Sequence, residues 1–109
     1  MGYNTFEETS NDLAEKDKTL AKDKVKRPSF YVVVVHNDPF TPRGFVIEVL
    51  RLYFSKAEPE AKRIMLLAHN FGVGVVAKLP HEMAEMKALQ ANEYSRTAGF
   101  PLYFSVEED

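Results

Sequence analysis

The sequence predicts an α+β fold: a small two-layer α/β sandwich in the order β-α-α-β-α-β, with three helices on one face of a three-stranded sheet. Three observations carry this expectation. Ser29-Phe-Tyr-Val-Val-Val-Val-His36 is a β-branched and aromatic run, the composition of a buried strand. Near the other end, Leu102, Phe104 and Val106 alternate with Tyr103 and Ser105, the period of a strand with one face inward. Between them lie three stretches of helical periodicity, each opening on a proline: Thr41-Pro42, Glu58-Pro59 and Pro80. Proline suits a first helical turn because its missing N–H has no partner there.

Taken in order, the first strand ends in turn chemistry at Asn37-Asp38-Pro39. Thr41 then reads as an N-cap with Pro42 at the first helical position. The first helix is expected to reach about Phe54, with Phe45, Val49 and Leu52 on its inner stripe and Val46, Leu50 and Tyr53 beside them. In the second helix Ala61, Ile64, Met65, Ala68 and Phe71 share a face, and Gly72 is a natural stop. Gly74 to Leu79 reads as the second strand. Pro80 opens the third helix, whose small residues Ala84, Ala88, Ala91 and Ala98 recur at helical spacing and allow close packing on a sheet. Pro101 to Val106 is the final strand. No internal repeat is evident.

The chain of 109 residues is one domain's worth, and 45% hydrophobic and 12% aromatic residues suffice for a core. Composition changes near Lys26. Up to Arg27 the chain is rich in Asp, Glu, Lys, Asn and Thr, with Phe6, Leu13 and Leu20 scattered among them. Such a segment cannot bury enough surface to offset its ordering entropy. Residues 1–27 are therefore expected to be a flexible charged tail, and 28–109 the folded core domain. A short helix over Asp12–Lys22 would be marginal alone.

Composition also excludes several functions. The chain has no cysteine, so disulfides and thiolate metal sites are ruled out. A net charge of −2 argues against nucleic acid, which needs a concentrated basic face. The N-terminus shows no apolar signal-peptide run and no stretch approaches a membrane span, so the expected location is the cytoplasm. No glycine-rich phosphate loop or nucleophile elbow occurs. His36, His69 and His81 lack the spacing of a zinc site. Asp38 and His69 can meet in space, but a base without a nucleophile or metal is not a mechanism. The chain is expected not to be an enzyme and to need no cofactor or metal.

Two places invite a binding role. Asn37, Asp38 and Thr41 cluster where the first strand hands over to a helix N-terminus, although turn-making and capping would also explain them. His69 lies at the edge of an apolar stripe one residue after Ala68 and four after Met65, although a partly buried structural histidine would look the same.

These residues carry a resemblance. Val35-His36-Asn37-Asp38-Pro39-Phe40-Thr41-Pro42, then Phe45-Val46-Ile47-Glu48-Val49-Leu50, the spacing of Met65 and His69, Glu82-Met83-Ala84-Glu85-Met86-Lys87, Tyr94-Ser95-Arg96 and Pro101-Leu102 resemble the Clp protease adaptor family ClpS. The likeness runs from about Ser29 to Val106, behind a variable charged tail. It implies the same fold order, and an adaptor that binds proteins whose first residue is bulky and hydrophobic (Leu, Phe, Tyr or Trp), the N-degron of the N-end rule. Such adaptors deliver their substrates to a Clp/Hsp100 AAA+ unfoldase, ClpA-like or ClpC-like, for degradation by ClpP. By resemblance, Asn37, Asp38 and His69 would hold the peptide α-amine. Val46, Met65, Ala68 and Leu102 would line the hydrophobic pocket, with Thr41 at its rim. Glu82 and Lys87 would dock on the unfoldase's N-terminal domain, and the tail would engage the unfoldase during hand-over.

The chain departs from the family pattern twice. Pro39 stands where many members have a second acid, and Arg43 where the family commonly has a methionine that gates the pocket. An arginine there can cover the pocket with its stem, repel an incoming ammonium, or simply point to solvent from the first turn of a helix. The departures motivate an alternative: a protein of the same fold that docks on the unfoldase or another partner and modulates it without reading N-termini. A monomer is expected because no apolar stretch is left over once the sandwich is built.

Overall fold

A computed structural model describes residues 29–109. The tail expected over 1–27, and with it the domain boundary, lies outside the described residues. Strand β1 (Phe30–His36) is followed by helices α1 (Arg43–Phe54) and α2 (Glu58–Phe71), strand β2 (Val73–Pro80), helix α3 (His81–Thr97) and strand β3 (Tyr103–Glu108). The element order is the expected one, and the last two strands extend further at their C-terminal ends. The sheet is antiparallel in the order β2-β1-β3, which puts the valine-rich strand at its centre.

Val33 and Val35 of β1 face the helices and are fully buried. The pairing of β1 with β2 slips between Val33 and Val34, leaving Val76 as an extra residue on β2. The bulge lets Val76 enter the core beside Ala77, where a regular strand would turn one of the two outward. Two residues before Val76, Gly74 is buried under α2. A Cβ added there would stand 2.9 Å from the Ile64 carbonyl oxygen, so its lack of a side chain permits the close approach of helix and strand.

Each helix corrects a detail of the sequence reading. At the start of α1 the cap position belongs to Pro42, whose carbonyl accepts from the N–H groups of Phe45 and Val46 at 3.0 and 3.2 Å. Thr41 caps nothing; its hydroxyl donates to the Asp38 carboxylate. The buried face of α1 is Val46, Val49, Leu50 and Phe54, while Leu52 is 58% exposed. At 100° per residue Leu52 lies roughly 120° round from Val46, beyond the stripe. In α2, Ala61, Ile64, Met65 and Ala68 are buried as expected, but Phe71 is 76% exposed. It is the last helical residue, and the chain turns away at Gly72, which holds φ +92°. In α3 the small-residue stripe is Ala84, Ala88, Ala91 and Ser95. Ala98 falls past the helix end, and the Ser95 hydroxyl satisfies itself on the Ala91 carbonyl at 2.8 Å.

Two contacts join the layers. Phe54 stacks on Phe104 with ring centroids 5.3 Å apart. The Asn92 side chain accepts from the Phe104 N–H at 2.8 Å and donates to its carbonyl at 3.0 Å, pairing the backbone of an edge strand with α3. Beside them Phe45, Tyr53, Tyr94 and Phe100 form an aromatic cluster. Tyr94 donates to Glu48 at 2.5 Å, which raises its phenol above the usual range. Apolar surface does remain after the sandwich is built. Val75 and Tyr103 are exposed on the open sheet face, and Met83, Met86 and Leu89 are exposed on α3.

Candidate functional site

The first strand delivers its last inward residue, Val35, to the gap between α1 and α2, and the chain then crosses that gap in a tight loop. Three hydrogen bonds shape the loop. The Asn37 N–H donates to the Gly72 carbonyl at 2.9 Å, tying the exit of β1 to the left-handed cap of α2. The Phe40 N–H donates to Asp38 Oδ1 at 2.8 Å, and Thr41 adds its hydroxyl to Oδ2. Asp38 therefore makes the turn itself, as short acidic side chains do. The tie from Asn37 to Gly72 brings the loop against the last turn of α2, which carries His69.

A cavity of about 320 Å³ opens where these pieces meet. Val35 of β1, Val46 of α1, Met65 and Ala68 of α2, and Leu102 ahead of β3 supply its apolar lining, joined by Pro42. Asn37, Asp38, Thr41, Arg43 and His69 supply the polar lining, with His36 and Pro39 adjoining. The volume lies at the small end of ligand pockets, roughly 300–1,000 Å³, and matches one large side chain better than a length of peptide. Among the described residues, Asp38 is the only carboxylate in the lining.

The nine residues that the sequence reading placed at the amine site and pocket all line this one cavity. Thr41 departs in detail: it is 8% exposed rather than at the rim, drawn inward by its bond to Asp38. Val35, His36, Pro39 and Pro42 line the cavity without having been named as site residues. Val35 was the legible one, since strand alternation turns it inward immediately before the loop. Glu82 and Lys87 lie elsewhere, on α3. Glu82 is exposed in its first turn, and the Lys87 ammonium donates to the Tyr53 carbonyl at 3.4 Å.

Arg43 is solvent-exposed but partnered. From the first turn of α1 its guanidinium donates to Nε2 of His69 on α2 at 2.8 Å, bridging the two helices with exposed side chains at the edge of the cavity. Among the described residues no group of three or more His, Cys, Asp or Glu gathers as a metal site, and no helix is long and apolar enough to cross a membrane.

Fold and site together define a small α+β domain with a side-chain-sized recognition pocket. A family model described as "ATP-dependent Clp protease adaptor protein ClpS" matches residues 26–105. The Clp protease adapter protein ClpS 2 of Rhizobium meliloti is 42% identical over 101 residues, covering 93% of this chain and 98% of the relative. ClpS of Shewanella halifaxensis is 45% identical over 94 residues, 86% of this chain and 92% of the relative. Among solved structures, that of Agrobacterium tumefaciens ClpS2 bound to L-phenylalaninamide aligns with a TM-score of 0.75 at 42% identity, covering 76% of this chain and 100% of that one. The chain belongs to the ClpS family of adaptors of the ATP-dependent Clp protease.

Proposed function

We propose that this adaptor binds proteins through a bulky hydrophobic N-terminal residue (Leu, Phe, Tyr or Trp) and hands them to a Clp/Hsp100 unfoldase for degradation by ClpP in the cytoplasm. The observation that carries the reading is one cavity whose apolar wall, Val46, Met65, Ala68 and Leu102, adjoins the polar groups Asn37, Asp38 and His69. The ligand of the Agrobacterium relative, L-phenylalaninamide, combines the same two elements: a large apolar side chain and a free α-amine.

The energetics suit recognition without chemistry. Burying a Leu- or Phe-sized side chain contributes about 1.5–3 kcal/mol. The adjacent ammonium must be paired, or its desolvation cancels that gain. Hydrogen bonds to a charged group contribute about 1.5–3 kcal/mol each, so two or three of them with the side chain reach roughly the 8 kcal/mol of a micromolar complex. An acetylated N-terminus loses the charge and leaves polar groups of the pocket unpaired.

For the partner, Glu82 and Lys87 are the docking residues. Exposed Met83 and Met86 beside them supply the apolar centre that a protein interface needs. Replacing both Glu82 and Lys87 by Ala should abolish binding to the unfoldase's N-terminal domain while peptide binding persists. Unchanged unfoldase binding would remove this surface from the proposal.

The direct test is fluorescence anisotropy with a free Leu-initiated peptide, a Phe-initiated one, and their acetylated twins. Free forms should bind at micromolar or tighter Kd and acetylated forms should not. Asn37→Ala and His69→Ala should each remove most of the binding while leaving the melting curve cooperative. The bond between Arg43 and His69 favours one competing outcome: no binding by any peptide, with docking on the unfoldase intact. That result would leave a protein of this fold that modulates its partner without reading N-termini.

A further inference from the structure

Arg43 and His69 belong to different helices, and both line the cavity. The guanidinium donates to His69 Nε2 at 2.8 Å. A guanidinium only donates, so Nε2 is the accepting nitrogen, and the proton of a neutral imidazole then sits on Nδ1. His69 has no lone pair left for a second donor.

An α-ammonium is also a donor only. It reaches His69 by taking Nε2 from Arg43, or by shifting the ring proton so that Nδ1 accepts. The second route leaves an N–H on Nε2 facing the guanidinium, donor against donor. By either route Arg43 must leave His69 when an N-terminus binds.

The displaced guanidinium then needs a partner. Among the described residues Asp38 is the one carboxylate in the lining; its two oxygens already accept from Phe40 and Thr41, and what capacity remains faces the incoming ammonium. Pro39 beside it supplies no second acid. A cavity of about 320 Å³ holds the first residue of a substrate, so the second residue is the next group outside, at the edge where Arg43 stands exposed. We infer that Arg43 makes this adaptor read the charge of the substrate's second residue, favouring Asp or Glu there and disfavouring Lys or Arg. The inference rests on the cavity being an N-terminus site, and names a substrate preference within that reading.

The size of the effect follows from exposure. A solvent-exposed ion pair changes an equilibrium about two- to fivefold, and exchanging attraction for repulsion about five- to tenfold at low salt. The test is anisotropy with three free-N-terminal peptides identical except at the second position, Leu-Glu, Leu-Ser and Leu-Lys, against the wild-type chain and Arg43→Met. Wild type should bind them in the order Glu, Ser, Lys with that spread, and Arg43→Met should bring all three within about twofold. Equal affinities for wild type, or an undiminished spread in Arg43→Met, would overturn the charge reading while leaving the N-terminus site standing. Failure of all three to bind wild type would overturn both.

Discussion

Asp38 is held by its neighbours before any ligand arrives. One oxygen accepts from the Phe40 N–H and the other from the Thr41 hydroxyl, so the carboxylate both makes the turn and faces the cavity. Asp38→Asn separates those two roles. The amide oxygen can still accept from Phe40, but the negative charge is gone. Charge-assisted hydrogen bonds are roughly twice as strong as neutral ones, so peptide affinity should fall about tenfold while the melting temperature moves little. Isothermal titration with a free Leu-initiated peptide, beside a thermal melt, checks both. Unchanged affinity would take Asp38 out of the amine site. Thr41 shows why such detail is hard to see in a sequence. A hydroxyl before Pro42 can cap the helix or turn back to Asp38, and local side-chain bonds of this kind compete on nearly equal terms. Only the folded loop shows which one wins.

The helices and strands were legible wherever periodicity ran unbroken, and the misreadings sit at their margins. Leu52 was assigned inward although it lies outside the arc spanned by Val46, Val49, Leu50 and Phe54. Phe71 and Ala98 have the right spacing but stand where their helices end. The bulge that admits Val76 to the core has no signature in the run Val73-Gly-Val-Val-Ala-Lys78, because it comes from pairing with β1. Gly74 was readable only as the start of a strand. Its importance lies in the 2.9 Å that a Cβ would have to the Ile64 carbonyl oxygen, with the Ala68 backbone nitrogen at 3.4 Å. Backbone atoms cannot swing aside as a side-chain tip can, so Gly74→Ala must push α2 off the sheet. Overpacking of this kind costs about 1–3 kcal/mol, or a Tm lower by about 5–20 °C in a domain of this size. Because α2 carries Met65, Ala68 and His69 into the cavity, peptide binding should weaken along with stability. A melt that coincides with wild type would mean that α2 and β2 pack less tightly than this.

At the scale of the whole molecule, the pocket residues were legible in two parts. The residues are spread across the fold: Val35 comes from β1, Val46 from α1, Met65 and Ala68 from α2, and Leu102 from the approach to β3. Each looked like plain core in its own segment; resemblance to a family linked Val46, Met65, Ala68 and Leu102 in advance, and the fold added Val35. The bridge from Arg43 to His69 had no such precedent and could not be read in advance, since it joins residues 26 positions apart. The same dispersal has a thermodynamic consequence. A ligand that touches every layer of so small a domain binds the folded state and nothing in the unfolded chain, so occupancy should raise the stability of the whole unit rather than of one loop. At a free peptide concentration about a hundred times Kd, linkage gives about 2.7 kcal/mol, which corresponds to an increase in Tm of about 10–20 °C. Differential scanning fluorimetry with a free Phe-initiated peptide should show a single transition moving upward with concentration, and the acetylated twin should leave it in place. A shift of equal size with the acetylated peptide would mean that the apolar wall alone drives binding, and that Asn37, Asp38 and His69 do not read the amine.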